Sequence, residues 1–168
     1  LAEQVQRLQD RADIQQMLSA YCRYADNHEI DAMAALFVED CVANYVPSME
    51  EYVIRGRDVL QGFLVTHQDN VISGSHYITN IEYIFHDADT VTLYTYMYSW
   101  QRFKGYPATA DCHRLGRYEL LLVRKEGSWR IAELRLLSAG EYGGARIGEQ
   151  FDRPWPPQFE KMADSRTV

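Results

Sequence analysis

The chain has 168 residues, 46% of them hydrophobic and 24% charged, a composition typical of a globular domain with a core of its own. No apolar stretch is long enough to span a bilayer, and the formal net charge of −7 disfavours nucleic acid as a partner. Cys22, Cys41 and Cys112 form no Cys-x-x-Cys pair, which argues against a disulfide framework and a structural zinc site. The length predicts one domain over residues 1–168. Nothing at the start resembles an export signal, so a cytoplasmic location is expected.

The first part of the chain is predicted to be mainly helical. Apolar side chains recur at three- and four-residue steps over residues 5–25, which predicts an amphipathic helix. The same spacing predicts a short second helix over 30–37 and a third over 56–64. Between the second and third helices, a strand is predicted at 41–46 and a short extended piece at 52–54.

The second part of the chain is predicted to form long strands. Runs rich in aromatic and aliphatic residues cover about 75–85, 90–103, 110–125 and 129–138, and turn compositions separate them. Hairpin connections make these four strands antiparallel. The expected fold is therefore α+β, with about three N-terminal helices covering one face of a curved, mostly antiparallel sheet. Residues 140–168 are first Gly-rich and then aromatic, which predicts a C-terminal tail or lid.

Two of the five histidines lie in segments that otherwise have the composition of apolar strands. They are His76, in Gly-Ser-His-Tyr, and His113, in Asp-Cys-His-Arg. A histidine in a mostly apolar cavity can take or give a proton near neutral pH, so both are candidates for acid–base catalysis. The other three, His28, His67 and His86, have the polar neighbours of surface turns and are interpreted as exposed.

Asp26 closes the first predicted helix, where its carboxylate meets the negative end of the helix dipole and gains nothing from local electrostatics. Pairing with a histidine would explain this position, because an Asp–His pair fixes the imidazole tautomer and stabilises the protonated ring. Two alternatives stay open: Asp26 could belong to a solvated turn, and His76 could be a core residue bonded to a backbone carbonyl. A metal site of Asp26, His76 and His113 is a third alternative, although no short ligand spacing supports it.

Three segments resemble the SnoaL-like branch of the nuclear-transport-factor-like cone fold. They are Tyr-Cys-Arg-Tyr-Ala-Asp at 21–26, Ile-Asp-Ala-Met-Ala-Ala-Leu-Phe-Val-Glu-Asp at 30–40 and Gly-Ser-Trp-Arg-Ile at 127–131. The similarity spans nearly the whole chain and implies a cone-shaped domain that encloses a pocket. It leaves the reaction open, since this superfamily contains dehydratases, isomerases, dehydrohalogenases and non-enzymes.

Within that superfamily the chain resembles scytalone dehydratase in particular, with hexachlorocyclohexane dehydrochlorinase and bile-acid dehydratase as relatives. The resemblance implies that Asp26 and His76 form the catalytic dyad. It also implies that His113 is a second catalytic histidine and that Tyr45 polarises the substrate carbonyl through water. A further tyrosine of that family, just before the aspartate, is replaced here by Ala25.

The residues that orient the substrate are therefore expected to differ from those of scytalone dehydratase. Tyr21, one helical turn before Ala25, is a candidate to supply the missing hydroxyl. Tyr21, Phe63 and Met97 are expected to line the substrate pocket. Because the acid–base set is kept while the orienting set is altered, the sequence indicates a related elimination on a different substrate.

The resulting prediction is a lyase without cofactor or metal that eliminates water from a cyclic or polycyclic hydroxy ketone, a small hydrophobic or aromatic oxygenated molecule. A ketosteroid-type isomerase or a dehydrohalogenase would use the same dyad. A non-catalytic small subunit of an aromatic-ring oxygenase would use only the fold. The resemblance also implies a homotrimer, and the predicted aromatic face with Tyr94, Tyr96, Tyr98 and Trp100 offers a surface for it. Neither nucleic acid nor a membrane is expected as a partner.

Overall fold

The structure, a computed structural model, describes residues 1–45 and 53–143, which form three α-helices packed on one sheet of six strands. Predicted features on residues 46–52 and 144–168, including most of the aromatic tail, lie outside the described residues. Among the described residues, no helix is long and apolar enough to cross a membrane. The helices are α1 (Ala2–Asp26), α2 (Ile30–Ala34) and α3 (Arg57–Gln68). The strands are β1 (Phe37–Asn44), β2 (Ile54–Arg55), β3 (Val71–Phe85), β4 (Thr90–Phe103), β5 (Cys112–Lys125) and β6 (Ser128–Tyr142).

The sheet has the strand order β2-β1-β6-β5-β4-β3. The four long strands β3 to β6 pair as consecutive antiparallel hairpins, which confirms the prediction, and β1 adds a parallel partner to β6. Register shifts between β3 and β4 and between β5 and β6 bend the sheet around the helices. The result is the predicted α+β cone fold with a curved, mostly antiparallel sheet.

Strand pairing explains two of the element boundaries that differ from the sequence prediction. Helix α2 ends at Ala34, because Phe37 already pairs with Ile131 as the first residue of β1. Strand β6 continues past its predicted end at Ser138 to Tyr142, because an irregularity in its pairing with β5 lets the ladder resume. Periodicity alone does not show either event, since both depend on the partner strand.

Helices α1 and α3 cover the inner face of the sheet and bury the core against it. Side chains alternate along each strand, so that β4 directs Met97 and Ser99 inward while Tyr96 and Tyr98 face outward. We call this second surface the outer face. Several of the largest fully buried side chains of the core are Ile14, Phe37, Leu60, Leu93, Leu122, Ile131 and Leu136.

A buried ion pair ties α1 to β5. Asp10 is 1% exposed, and its Oδ1 accepts hydrogen bonds from Arg124 Nη2 at 2.7 Å and from Gln6 Nε2 at 3.0 Å. Arg124 also donates to Asp89 and lies over the ring of Trp129. Burial alone would raise the pKa of Asp10, but the hydrogen bonds from Arg124 and Gln6 outweigh burial and lower it.

We expect Asp10→Asn to lower the free energy of unfolding by about 2–3 kcal/mol, because the substitution leaves the half-buried charge of Arg124 with one carboxylate fewer. The quantity is measured by urea unfolding at neutral pH. Asp13→Asn is the matched control, since Asp13 lies one turn later on α1 with an exposed contact to Gln9. Its expected effect is below about 0.5 kcal/mol. Equal effects of the two substitutions would contradict a structural role for Asp10.

Candidate active site

His76 on β3 faces the C-terminal end of α1, where Asp26 is the last helical residue. The His76 Nδ1 atom lies 2.6 Å from Asp26 Oδ1, and the His76 backbone N–H donates to Oδ2 at 3.1 Å. An ionised carboxylate only accepts hydrogen bonds, so Nδ1 carries the proton of the neutral ring and Nε2 is unprotonated. The two side chains are 16% and 25% exposed. The structure thus brings together the two residues predicted as a dyad.

A cavity lies over His76, between the inner face of the sheet and helices α1 and α3. Its empty volume, with the open mouth included, is about 650 Å³. Asp26 lies behind His76 and does not line the cavity. The lining includes the predicted residues Tyr21, Tyr45, Phe63, His76 and Met97. It also includes residues that were not predicted from the sequence, namely His67, Ser99, Gln101, Arg114 and Tyr118.

Three tyrosines form a group on one side of the cavity. The hydroxyls of Tyr21 and Tyr45 are 3.0 Å apart, and the ring of Tyr118 meets that of Tyr21 edge-on with centroids 6.3 Å apart. Burial raises the pKa of all three hydroxyls; that of Tyr118 reaches about 12 although a hydrogen bond with Tyr21 lowers it. All three therefore stay protonated at neutral pH and can donate hydrogen bonds. Phe63 stacks on Tyr45 with centroids 5.5 Å apart and completes this aromatic wall.

His113 does not reach the cavity. Side chains alternate along β5, so that Arg114 and Tyr118 line the cavity while His113 lies on the outer face. There its Nδ1 is 2.7 Å from the Tyr98 hydroxyl, and its ring stacks on Tyr142 with centroids 4.3 Å apart. The geometry therefore separates the predicted second catalytic histidine from the dyad by the thickness of the sheet.

The alternative metal set of Asp26, His76 and His113 fails for the same reason, because its third ligand lies on the opposite face of the sheet. Within residues 1–45 and 53–143, no group of three or more His, Cys, Asp or Glu side chains is placed to hold a metal ion. His76 in the cavity, with Asp26 behind it, instead suits proton transfer by one histidine supported by one carboxylate.

His67 lines the cavity, so its interpretation as an exposed turn residue is wrong. It lies in the last turn of α3, with Nε2 2.9 Å from Gln101 Nε2 and its ring edge-on to Phe103. Because the Gln101 amide donates this bond, Nε2 of His67 is the accepting, unprotonated nitrogen. Burial lowers the pKa of His67 to about 3, and the nearby charge of Arg114 adds to the effect. The signal was present, since His67 continues the apolar stripe of Leu60 and Phe63 at seven- and four-residue steps.

We expect His67 to make the stability depend on pH. Its folded pKa lies below its ordinary value of 6.5, so between pH 6.5 and 3 the unfolded chain binds a proton that the folded chain does not. Stability should therefore fall as pH drops through this window. Between pH 7 and pH 5, wild type should lose about 2 kcal/mol more unfolding free energy than His67→Gln, as measured by urea unfolding. His86→Gln, at an exposed site, should follow wild type, and an unchanged pH slope in His67→Gln would refute the assignment.

A row of inward side chains crosses the floor of the cavity. His76, Ser99 and Arg114 are direct neighbours in the registers of β3, β4 and β5. Both Nε and Nη2 of Arg114 donate to Oε2 of Glu141 on β6, at 3.1 and 2.8 Å. Strand alternation could have revealed Arg114, because it shares the parity of the buried Tyr118 on β5.

The comparisons with known proteins agree with this architecture. The sequence matches the profile of the SnoaL-like domain over residues 6–135. No curated protein matches the chain significantly. The profile covers both dyad residues and the whole lining of the cavity up to β6, so the site described above lies almost entirely inside the matched region.

Solved structures share the fold at low sequence identity. A protein from Novosphingobium aromaticivorans, provisionally assigned as a scytalone dehydratase, has a TM-score of 0.78 at 22% identity over 85% of this chain and 93% of that chain. A second protein from that organism, provisionally assigned as an aromatic ring hydroxylase, has a TM-score of 0.73 at 23% identity over 81% and 94%. Hexachlorocyclohexane dehydrochlorinase LinA-type3 from Novosphingobium barchaimii has a TM-score of 0.71 at 18% identity over 90% and 99%. At these identities the likeness shows the fold alone.

Proposed function

The chain belongs to the SnoaL-like family, and from that premise we propose that it is a cofactor-independent lyase that removes water from a small cyclic or polycyclic hydroxy ketone. The observation that carries the proposal is the 2.6 Å contact between His76 Nδ1 and Asp26 Oδ1. This contact leaves His76 Nε2 as an unprotonated nitrogen on a cavity-lining side chain, without a hydrogen-bond partner among the described residues. Such a nitrogen is suited to act as a general base.

The proposed reaction begins with proton removal. Nε2 of His76 takes a proton from the carbon next to the substrate carbonyl, and the C–H electron pair forms the enolate. Asp26 stabilises the imidazolium that results. The hydroxyls of Tyr21 and Tyr45 donate hydrogen bonds to the enolate oxygen, directly or through water.

The second step expels the leaving group. The enolate electrons return to form the C=C bond, the C–O bond of the β-hydroxyl breaks, and the departing oxygen takes the proton held by His76 as it leaves as water. His113 is not needed for this step and cannot reach it from the outer face. One histidine can serve both steps if the proton and the hydroxyl leave from the same face of the substrate, which makes the elimination syn.

The lining of the cavity supports a ring-containing substrate. Its walls are mainly aromatic and apolar, with the stacked rings of Phe63 and Tyr45 on one side and Met97 on the sheet. Ser99 and Gln101 on the sheet are two of the polar groups in the lining that would fix the orientation of an oxygenated ring.

The proposal is tested by incubating the protein with a panel of cyclic β-hydroxy ketones, enone steroids and halogenated rings and measuring product mass. Loss of one water, abolished by Asp26→Asn, is the expected result. A product of unchanged mass would instead make the protein an isomerase, and loss of hydrogen halide would make it a dehydrohalogenase like the LinA-type3 neighbour. Co-purification with a large iron-containing subunit and no turnover would favour the second candidate function, a non-catalytic subunit of an aromatic-ring oxygenase. The structural similarity to the provisionally assigned ring hydroxylase supports this candidate.

Chelation provides a further prediction. If the two proton transfers of His76 are the whole chemistry, exhaustive treatment with a chelator should leave kcat unchanged. Elemental analysis of the active protein should find no stoichiometric zinc, iron or manganese. An activity lost to the chelator and restored by one of these metals would overturn the proposed mechanism.

We also propose that the outer face mediates assembly into a homotrimer. Tyr77, Tyr96 and Tyr142 on this face are 53%, 56% and 57% exposed, so the face presents several large aromatic side chains to solvent. A second copy of the chain is the proposed occupant, because the resemblance implies self-association. Sedimentation equilibrium should give the mass of three chains, and a monomeric mass at micromolar concentration would reject the assembly.

A further inference from the structure

We infer that the cavity selects a substrate that carries a carboxylate at the end remote from the dyad, and that Arg114 binds this carboxylate. The inference depends on the proposed function only for the place of the reacting carbon, next to His76. Two other polar features do not belong to this site, since the Asp10–Arg124 pair is buried away from the cavity and His113 lies on the outer face.

The distance between the two ends of the site follows from the sheet. His76 pairs with Ser99, and Ser99 pairs with Arg114, so the Cα atoms of His76 and Arg114 are separated by two strand spacings, or about 10 Å. All three side chains line the cavity. A ring system whose reacting carbon lies over His76 would cross Ser99 and present its far substituent to Arg114.

The ion pair of Arg114 is oriented with its positive member toward the cavity. Glu141 occupies Nε and Nη2 of the guanidinium, does not line the cavity and accepts a weak contact from the Cys112 thiol at 3.5 Å through its other oxygen. Nη1 of Arg114 makes no hydrogen bond within residues 1–45 and 53–143. Glu141 therefore fixes the guanidinium from behind and leaves three N–H donors for a ligand, the two on Nη1 and the second on Nη2.

The charge of Arg114 also acts on other groups in the cavity. After the larger effect of burial, it lowers the pKa of His67, and it lowers the pKa of Tyr118 as well. Both effects have the sign of a field that favours negative charge in the cavity. Among the described residues that line the cavity, Arg114 is the one with a permanent positive charge, so it is the residue of this lining that would bind a carboxylate.

The test measures binding of two non-reactive aromatic acids, each against its own amide, by titration calorimetry. The pairs are 6-hydroxy-2-naphthoate with 6-hydroxy-2-naphthamide and 4-hydroxycinnamate with 4-hydroxycinnamide. In at least one pair the wild-type protein should bind the acid about tenfold more tightly or better, the size expected for a charge-assisted contact. Arg114→Gln should remove this preference and leave the affinity for the amide nearly unchanged. Arg114→Lys should retain part of the preference for the acid, and it takes the place of Arg114→Gln in the test if that variant does not fold.

Two control variants show whether the preference for the acid comes from Arg114 itself. Arg117→Gln removes an equal charge from the exposed outer side of the same strand and should keep the preference. His76→Ala should also keep it, so that a failure of the proposed lyase activity and a failure of acid binding give different results. Equal binding of acid and amide in both pairs, no binding of any of the four compounds, or an Arg117→Gln effect as large as that of Arg114→Gln would overturn the inference and make the Arg114–Glu141 contact a structural ion pair.

Discussion

Replacing His76 by alanine is expected to lower kcat by about 10²- to 10⁴-fold on the substrate found in the mass screen, because the variant loses the group that accepts the substrate proton. The fold should survive, since the side chain lies at the edge of the cavity and not in the core. Steady-state kinetics and near-ultraviolet circular dichroism measure the two effects separately. A His76→Ala variant with near-wild-type turnover would remove His76 from the mechanism.

His113→Ala is the informative companion, because resemblance and structure disagree about it. The resemblance implies a catalytic role, whereas the structure places the ring against Tyr98 and Tyr142 on the outer face. We expect turnover per active site to stay within about threefold of wild type, as for substitutions outside the reacting groups. A loss comparable with that of His76→Ala would show that the resemblance, and not the geometry, gives the right role.

The same kinetic measurement also tests whether Asp26 and His76 act as a pair. Asp26→Asn keeps the shape of the carboxylate but cannot stabilise an imidazolium, and its amide can reverse the hydrogen bond to Nδ1. Its effect on kcat should approach that of His76→Ala. Once either residue is lost, the other has little left to contribute to catalysis. The kcat of the double variant should therefore be close to that of the less active single variant. Full multiplication of the two effects would mean that the residues act independently.

Much of the fold could be predicted from periodicity. The three-and-four spacing located α1, and alternation with turn signals located all four long strands, with both ends of β4 correct. Strand pairing decided what periodicity could not, such as the start of β1 at Phe37 and the extension of β6 to Tyr142. These boundaries depend on residues far away along the chain, so no local pattern contains them.

The site was only partly predictable for a related reason. Asp26 and His76 are 50 positions apart, and the packing of α1 against β3 brings them together, so the sequence connects them only through the family resemblance. Strand parity, in contrast, is local: it could have placed Arg114 inward and His113 outward on β5. His67 shows the limit of composition, because its polar neighbours belong to a helix end while its own position lies on the buried stripe.

The tyrosine group leads to the second large prediction. Tyr45→Phe and Tyr21→Phe should each lower kcat by about 10²-fold, the usual cost of losing one donor to a developing oxyanion. Because the two hydroxyls are 3.0 Å apart and both are held protonated by burial, the loss of either should weaken the hydrogen bond made by the other. The double variant should therefore lose less than the product of the two single effects.

Tyr118 distinguishes a direct donor from a positioning residue. Its hydroxyl acts on Tyr21, so Tyr118→Phe should lower kcat by only about tenfold while KM stays nearly constant, and it should add nothing once Tyr21 is already phenylalanine. Tyr96→Phe on the outer face is the matched control and should leave kcat unchanged. If Tyr118→Phe instead matched Tyr45→Phe and multiplied with Tyr21→Phe, Tyr118 would itself contact the enolate oxygen. The substrate carbonyl would then lie closer to β5 than to β1, and the orientation proposed for the substrate ring between His76 and Arg114 would change.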